Sequence, residues 1–162
     1  MKMFLIEAIK RVKRLTEEIN AIISLENKSC KVTYRTPEEI MDNNYDFWET
    51  RKAINDKMEE IIKLKRAINK ANNEVKIGVD DLTISDALVK ISLINKELNY
   101  HLSSMATSDN VSTYLDYKDG IVYTKILYDL EECSNYVEEK KDLLTKIQIG
   151  IDKANIITEI EI

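Results

Sequence analysis

Apolar residues recur three and four positions apart near the start of the chain, at Leu5, Ala8, Val12, Leu15, Ile19 and Ile22. That period predicts a first helix with a heptad seam, which Ile9 and Ile23 widen, and a polar face carrying Lys10, Arg11, Lys13, Arg14, Glu17 and Glu18. A second helix is predicted from near Tyr45 to about Ala71, through Phe47, Ile54, Met58, Ile61, Leu64 and Ile68, with Trp48 and Ile62 beside the seam. A third, from Ile84 to about Met105, has a broader stripe of Ala87, Leu88, Ile91, Ile94, Leu98, Leu102 and Met105, with Asn95 at its margin as a register pin. A fourth runs from about Ile126 to Ala154 through Leu130, Cys133, Val137, Leu144, Ile147 and Ile151, and Gly150 weakens its last turn.

The stretch between the second and third helices sets the architecture, because it folds one long helix back on the next. Asn72 and Asn73 suit the left-handed conformation that closes a helix, and Gly78 suits a tight turn. Val75-Lys76-Ile77 alternates like a short strand, and Thr83 with Asp86 reads as an N-cap with a carboxylate in the first turn. Ile68-Asn69-Lys70-Ala71-Asn72 is matched by Ile151-Asp152-Lys153-Ala154-Asn155, each followed by a short apolar piece. Two related helical hairpins, or chance likeness in a chain rich in Ile, Asn and Lys, both account for this match.

Between residues 26 and 44 the helical period fails. Lys31 to Thr36 alternates as an edge strand or an extended loop, and Thr36-Pro37-Glu38-Glu39 resembles the first turn of a helix, so a protruding, variable connection is expected. Residues 106–112 form a small polar loop, and a hairpin pairs Tyr114–Lys118 with Ile121–Lys125 about an Asp119-Gly120 turn.

Composition narrows the class. A third of the 162 residues are charged, and one Pro and three Gly are too few for an all-β fold. The net charge is −5, made of +4 over residues 1–36 and −9 over 37–162, which speaks against general affinity for nucleic acid. No run approaches the roughly 18 apolar residues of a membrane span, and the opening residues are too soon interrupted by charge for a signal peptide, so a cytoplasmic location is expected. Cys30 and Cys133 form no CxxC pair and read as reduced, inert thiols.

Candidate chemistry is sparse. The single His101 follows Glu97 by four residues, whereas a di-metal bundle site needs two Glu-x-x-His units; no metal, cofactor or catalytic residue is expected. Lys10, Arg11, Lys13 and Arg14 form the one run suited to phosphate or to a partner, but without interleaved aromatics a solvated face accounts for them better. Tyr114, Tyr117, Tyr123 and Tyr128 suit either a recognition surface or local packing.

Ile68-Asn69 with Asn72, Leu82-Thr83-Ile84 with Asp86-Ala87-Leu88, and Ala154-Asn155 with Thr158-Glu159 resemble the septicolysin-labelled family of small helical bacterial proteins of unassigned function. The order of parts matches too: a first helix, a variable connection, two helices around the Asn/Leu-Thr motif, an aromatic strand-like segment and a last helix ending in Ala-Asn. Ile156 stands where that family's closing motif has Trp, and residues 27–44 follow no family pattern. The resemblance implies coiled-coil-rich helical proteins with no established catalytic residue, and its label suggests a cytolysin.

The expectation is a mainly α protein: an antiparallel four-helix, coiled-coil-like bundle with short β-hairpin pieces at the turns. It forms a single domain over 1–162, made of helical hairpins at about 1–73 and 84–155. Its expected role is non-enzymatic, as a structural or interaction protein. The wide stripes call for a homo-oligomer or an unidentified protein partner, with a membrane-active, cytolysin-like protein as the alternative.

Overall fold

The computed structural model describes residues 2–36, 45–118 and 120–162. The expected Pro37, Glu38 and Glu39 turn and Asp119 lie outside them. The chain is mainly helical with small antiparallel strand pairs. Its elements are β1 (Lys2–Phe4), α1 (Leu5–Ser29), α2 (Phe47–Glu74), α3 (Ile84–Glu97), a π-helical turn (Leu98–Leu102), α4 (Ser103–Ala106), β2 (Val111–Asp116), β3 (Gly120–Lys125), α5 (Leu130–Ile157) and β4 (Glu159–Glu161). They divide into two compact units: residues 1–74 with 155–162, and residues 75–154. The strand and last turn after residue 154 thus fold with the first hairpin rather than the second.

In the first unit α1 and α2 are antiparallel. Their ion pairs show it, because Arg11 meets Glu60, Glu18 meets Lys57 and Glu26 meets Arg51, one helix rising as the other falls. The buried seam is Leu5, Ala8, Leu15 and Ile19 against Ile54, Leu64 and Ala71. Two helices cover only a narrow arc of each other, so Ile9, Ile23, Met58 and Ile62 are exposed rather than part of a wider stripe. β1 pairs with β4, Met3 opposite Ile160, and Leu5 N–H donates to the Thr158 carbonyl at 2.8 Å. This strand pair joins the two ends of the chain, away from any turn.

In the second unit Ile94 and Leu98 pack with Val137, flanked by Leu102, Leu143 and Leu144. Thr83 caps α3 as the sequence indicates: its hydroxyl accepts from Asp86 N–H at 3.1 Å while the Asp86 carboxylate accepts from Thr83 N–H at 3.2 Å. Asn72 and Asn73 do not end α2, which runs on to Glu74. The left-handed positions are Gly78, Asp80 and Asp81, the two aspartates being held by Lys90 and Lys76. Val75–Ile77 forms a single bridge, Lys76 to Thr83. Asn95 is exposed and does not act as a buried register pin. α5 starts at Leu130 rather than Ile126, because the Asp129 carboxylate accepts from Glu131 and Glu132 N–H. The β2–β3 register sets Asp116 opposite Gly120, so Gly120 stands at the start of β3, and the expected Asp119-Gly120 turn falls in part outside the described residues.

The two halves of the chain repeat each other. Leu5 and Ile84 begin α1 and α3, 79 residues apart, and the same shift carries buried Ala8, Leu15 and Ile19 onto buried Ala87, Ile94 and Leu98. α2 and α5 are both 28 residues long and start 83 apart; that shift carries buried Ile54, Leu64, Ala71 and Ile77 onto buried Val137, Ile147, Ala154 and Ile160. Polar contacts follow. Glu18–Lys57 maps onto Glu97–Lys140, the Asp46 cap onto Asp129, and the Leu5-to-Thr158 hydrogen bond onto Ile84-to-Val75. The likeness of 68–72 to 151–155 is one part of a correspondence running the length of both hairpins.

Candidate partner-binding surfaces

The basic run of α1 is largely matched with carboxylates. Arg11 Nε donates to Glu60 Oε1 at 2.9 Å and its Nη2 to Oε2 at 3.4 Å, so the guanidinium is held across α1 and α2. Arg14 meets Glu18 at 3.0 Å and Lys13 approaches Glu17 at 4.0 Å, while Lys10 is exposed. A phosphate would have to compete with these pairs, so the face keeps little of the positive potential that its sequence suggests.

The motif residues separate into distinct duties. Thr83 and Asp86 form the cap, Ala154 is buried, Ile68 and Leu82 are half-buried, and Asn69 and Leu88 are exposed. Asn72 and Asn155, related by the 83-residue shift, each bury a carboxamide oxygen that accepts no hydrogen bond from the described protein groups. The sequence places these residues together as a motif, whereas the structure uses most of them to start, stop and pack helices.

The far end of the first hairpin is chemically richer. Glu26, near the end of α1, accepts from Tyr45 Oη at 2.6 Å and pairs with Arg51. Hydrogen bonding from Tyr45, then from Arg51, holds the Glu26 carboxyl below its ordinary value. The bond to Glu26, reinforced by desolvation and by that negative charge, pushes the Tyr45 phenol up to about 12. Arg51 also lies 5.4 Å over the Phe47 ring, and Phe47 meets Trp48 edge-on at 5.1 Å. Trp48 is 78% exposed. Beside this cluster lies a groove of about 430 Å³ whose lining includes Ile22, Leu25 and Ala53 together with Glu26, Asp46 and Glu49.

At the corresponding place in the second unit stands the β2–β3 hairpin. Its register puts Leu115 opposite Ile121 and Thr113 opposite Tyr123, so Val111, Leu115, Ile121 and Tyr123 share one face, and all four are exposed. Tyr114 and Tyr117 are exposed as well, so burial in a core does not account for these tyrosines. Tyr128 differs: its hydroxyl donates to the Met105 carbonyl at 2.8 Å, tying the start of α5 to α4 much as Tyr45 ties α2 to α1. His101 is exposed on the π turn. No helix among the described residues is long and apolar enough to cross a membrane.

No family model and no curated protein matches the chain. A solved structure does: the crystal structure of a functionally unknown conserved protein from Corynebacterium diphtheriae aligns with a TM-score of 0.70 at 19% identity, over 99% of this chain and 100% of that one. The likeness establishes a shared fold.

Proposed function

We propose that the chain is a non-catalytic helical interaction protein that self-associates, in keeping with its resemblance to the septicolysin-labelled family. The observation carrying this reading is the balance of apolar surface. Among the described residues, 25 large apolar side chains are exposed while 17 hydrophobic residues are buried. Single exposed leucines are ordinary, but contiguous apolar strips on helices and a hairpin with one apolar face call for a cover. Copies of the same chain supply it most economically, because one patch then serves both partners.

Absolute mass by size-exclusion chromatography with light scattering tests the reading. The expected result is a whole multiple of the chain mass that persists on dilution into the low micromolar range. A monomer at every concentration would defeat it.

A further inference from the structure

The repeat supplies an internal control for what an uncovered face of these helices looks like. On α1 the outward strip holds Lys10, Lys13, Arg14 and Glu17, the ordinary choice for a helix face in water. The 79-residue shift carries these positions onto Val89, Ser92, Leu93 and Lys96 of α3. Two equivalent faces in one molecule thus differ in one respect: α1 kept its charges, and α3 replaced three of four with uncharged side chains. Val89 and Leu93 are nevertheless 60% and 63% exposed, and Tyr100, farther along the same side, is 83% exposed. The other charged groups of α3 are engaged elsewhere, Asp86 in the cap, Lys90 with Asp80 and Glu97 with Lys140. Of the four positions matched to the outward strip of α1, Lys96 alone keeps a charge, and its stem can lie against Tyr100, one turn on, with the ammonium at the rim.

We infer that this strip, from Leu88 on α3 to Tyr100 on the π-helical turn that follows, is the self-association face, the occupant being the same strip of a second copy crossing in the antiparallel sense about a two-fold axis. The inference rests on the self-association reading and gives it an address. An axis midway between Leu93 and Lys96 sets Val89 of each copy against Tyr100 of the other, and Leu93 against the stem of Lys96. The strip is about 18 Å long at the helical rise. A contact of this length belongs at the low end of specific interfaces, which begin near ~1,200 Å² in total. An obligate, core-like dimer would need more, so the association is reversible and weakens on dilution.

The test returns α1's residues to α3 in a Val89→Lys, Leu93→Arg chain; both sites are exposed, so helicity and Tm serve as folding controls. Sedimentation velocity is expected to show the unmodified chain as a dimer and the double variant as a monomer, with its dissociation constant raised at least tenfold. A Trp48→Ser chain is expected to dimerise like the unmodified one. A folded double variant that keeps the dimer mass, or a Trp48→Ser chain that loses it, would overturn the α3 assignment and leave self-association standing. An unmodified chain that is monomeric throughout defeats both. Should the double variant unfold, amine cross-linking of the unmodified chain, mixed from two isotope labels, decides the matter. Lys96-to-Lys96 links between copies support the face, and links between copies confined to other lysines overturn it. A monomer that binds zwitterionic phosphatidylcholine vesicles, and loses them in the double variant, would give the strip to a lipid surface and overturn the second-copy occupant.

Discussion

A methyl group on residue 150 would lie 2.8 Å from the Ile77 carbonyl oxygen and 3.2 Å from its Cβ, so Gly150 is where the bridging segment after α2 presses on α5. Its glycine therefore permits a close approach rather than loosening a last turn. In an open helix Gly→Ala gains about 1 kcal/mol, but overpacking a tight contact costs about 1–3 kcal/mol. Gly150→Ala is expected to lower Tm by several degrees, and a raised Tm in thermal melts would show the contact to be soft. Tyr45 offers a test by pH. Its phenol titrates at about 12 in the fold against an ordinary 10.0, so its contribution is complete below pH 10 and fades between 10 and about 12. Glu26 is shifted the other way, so its share is present above its ordinary value of 4.5 and is lost as pH falls below it. The Tm gap between the unmodified chain and Tyr45→Phe should be flat from about pH 5 to 10 and narrow on either side.

At the scale of elements, the seams of α1 and α2 were readable because burial at Leu5, Ala8, Leu15, Ile54 and Leu64 follows the helical period. The cap at Thr83 was readable because its pattern is local; Thr83→Ala should cost about 1 kcal/mol in a denaturant titration. What escaped the sequence has physical reasons. β1 is three residues long and shows no period of its own. Asn72 tolerates a left-handed turn but does not require one, and packing of Ala71 carries α2 one further turn. The repeat was hidden because α5 starts four residues farther from the start of α3 than α2 does from the start of α1, so no single period aligns both helices of one half with both of the other. The tip cluster of Glu26, Tyr45 and Arg51 spans 25 residues of sequence and uses common residue types. Its only sequence trace is an aromatic group, Tyr45, Phe47 and Trp48, at the start of a charged helix.

For the whole molecule, the two strand pairings are equivalent in register: Phe4 opposite Glu159 matches Thr83 opposite Lys76 under the same shifts. One pairing is bridged by the 78–81 turn and the other lies between the two ends of the chain. A circular permutant opened between Val79 and Asp80, with residue 162 joined to residue 1 by a short Gly-rich linker, should therefore keep the helical content and a cooperative melt. Loss of cooperativity would mean that the turn holds the fold in a way its counterpart does not. The same equivalence sets an order of assembly. Lys76 finds Thr83 across seven residues, whereas Met3 must wait for Ile160, and closing that loop costs roughly 3 kcal/mol more in chain entropy. A chain emerging from the ribosome makes the Lys76–Thr83 copy of this latch first and the β1–β4 copy only once β4 has been synthesised. Leu5, fully buried like Ala8, donates across the pairing that closes the longer loop, and opening that pairing releases more chain entropy, so its hydrogen should exchange faster in the native state than that of its counterpart Ile84.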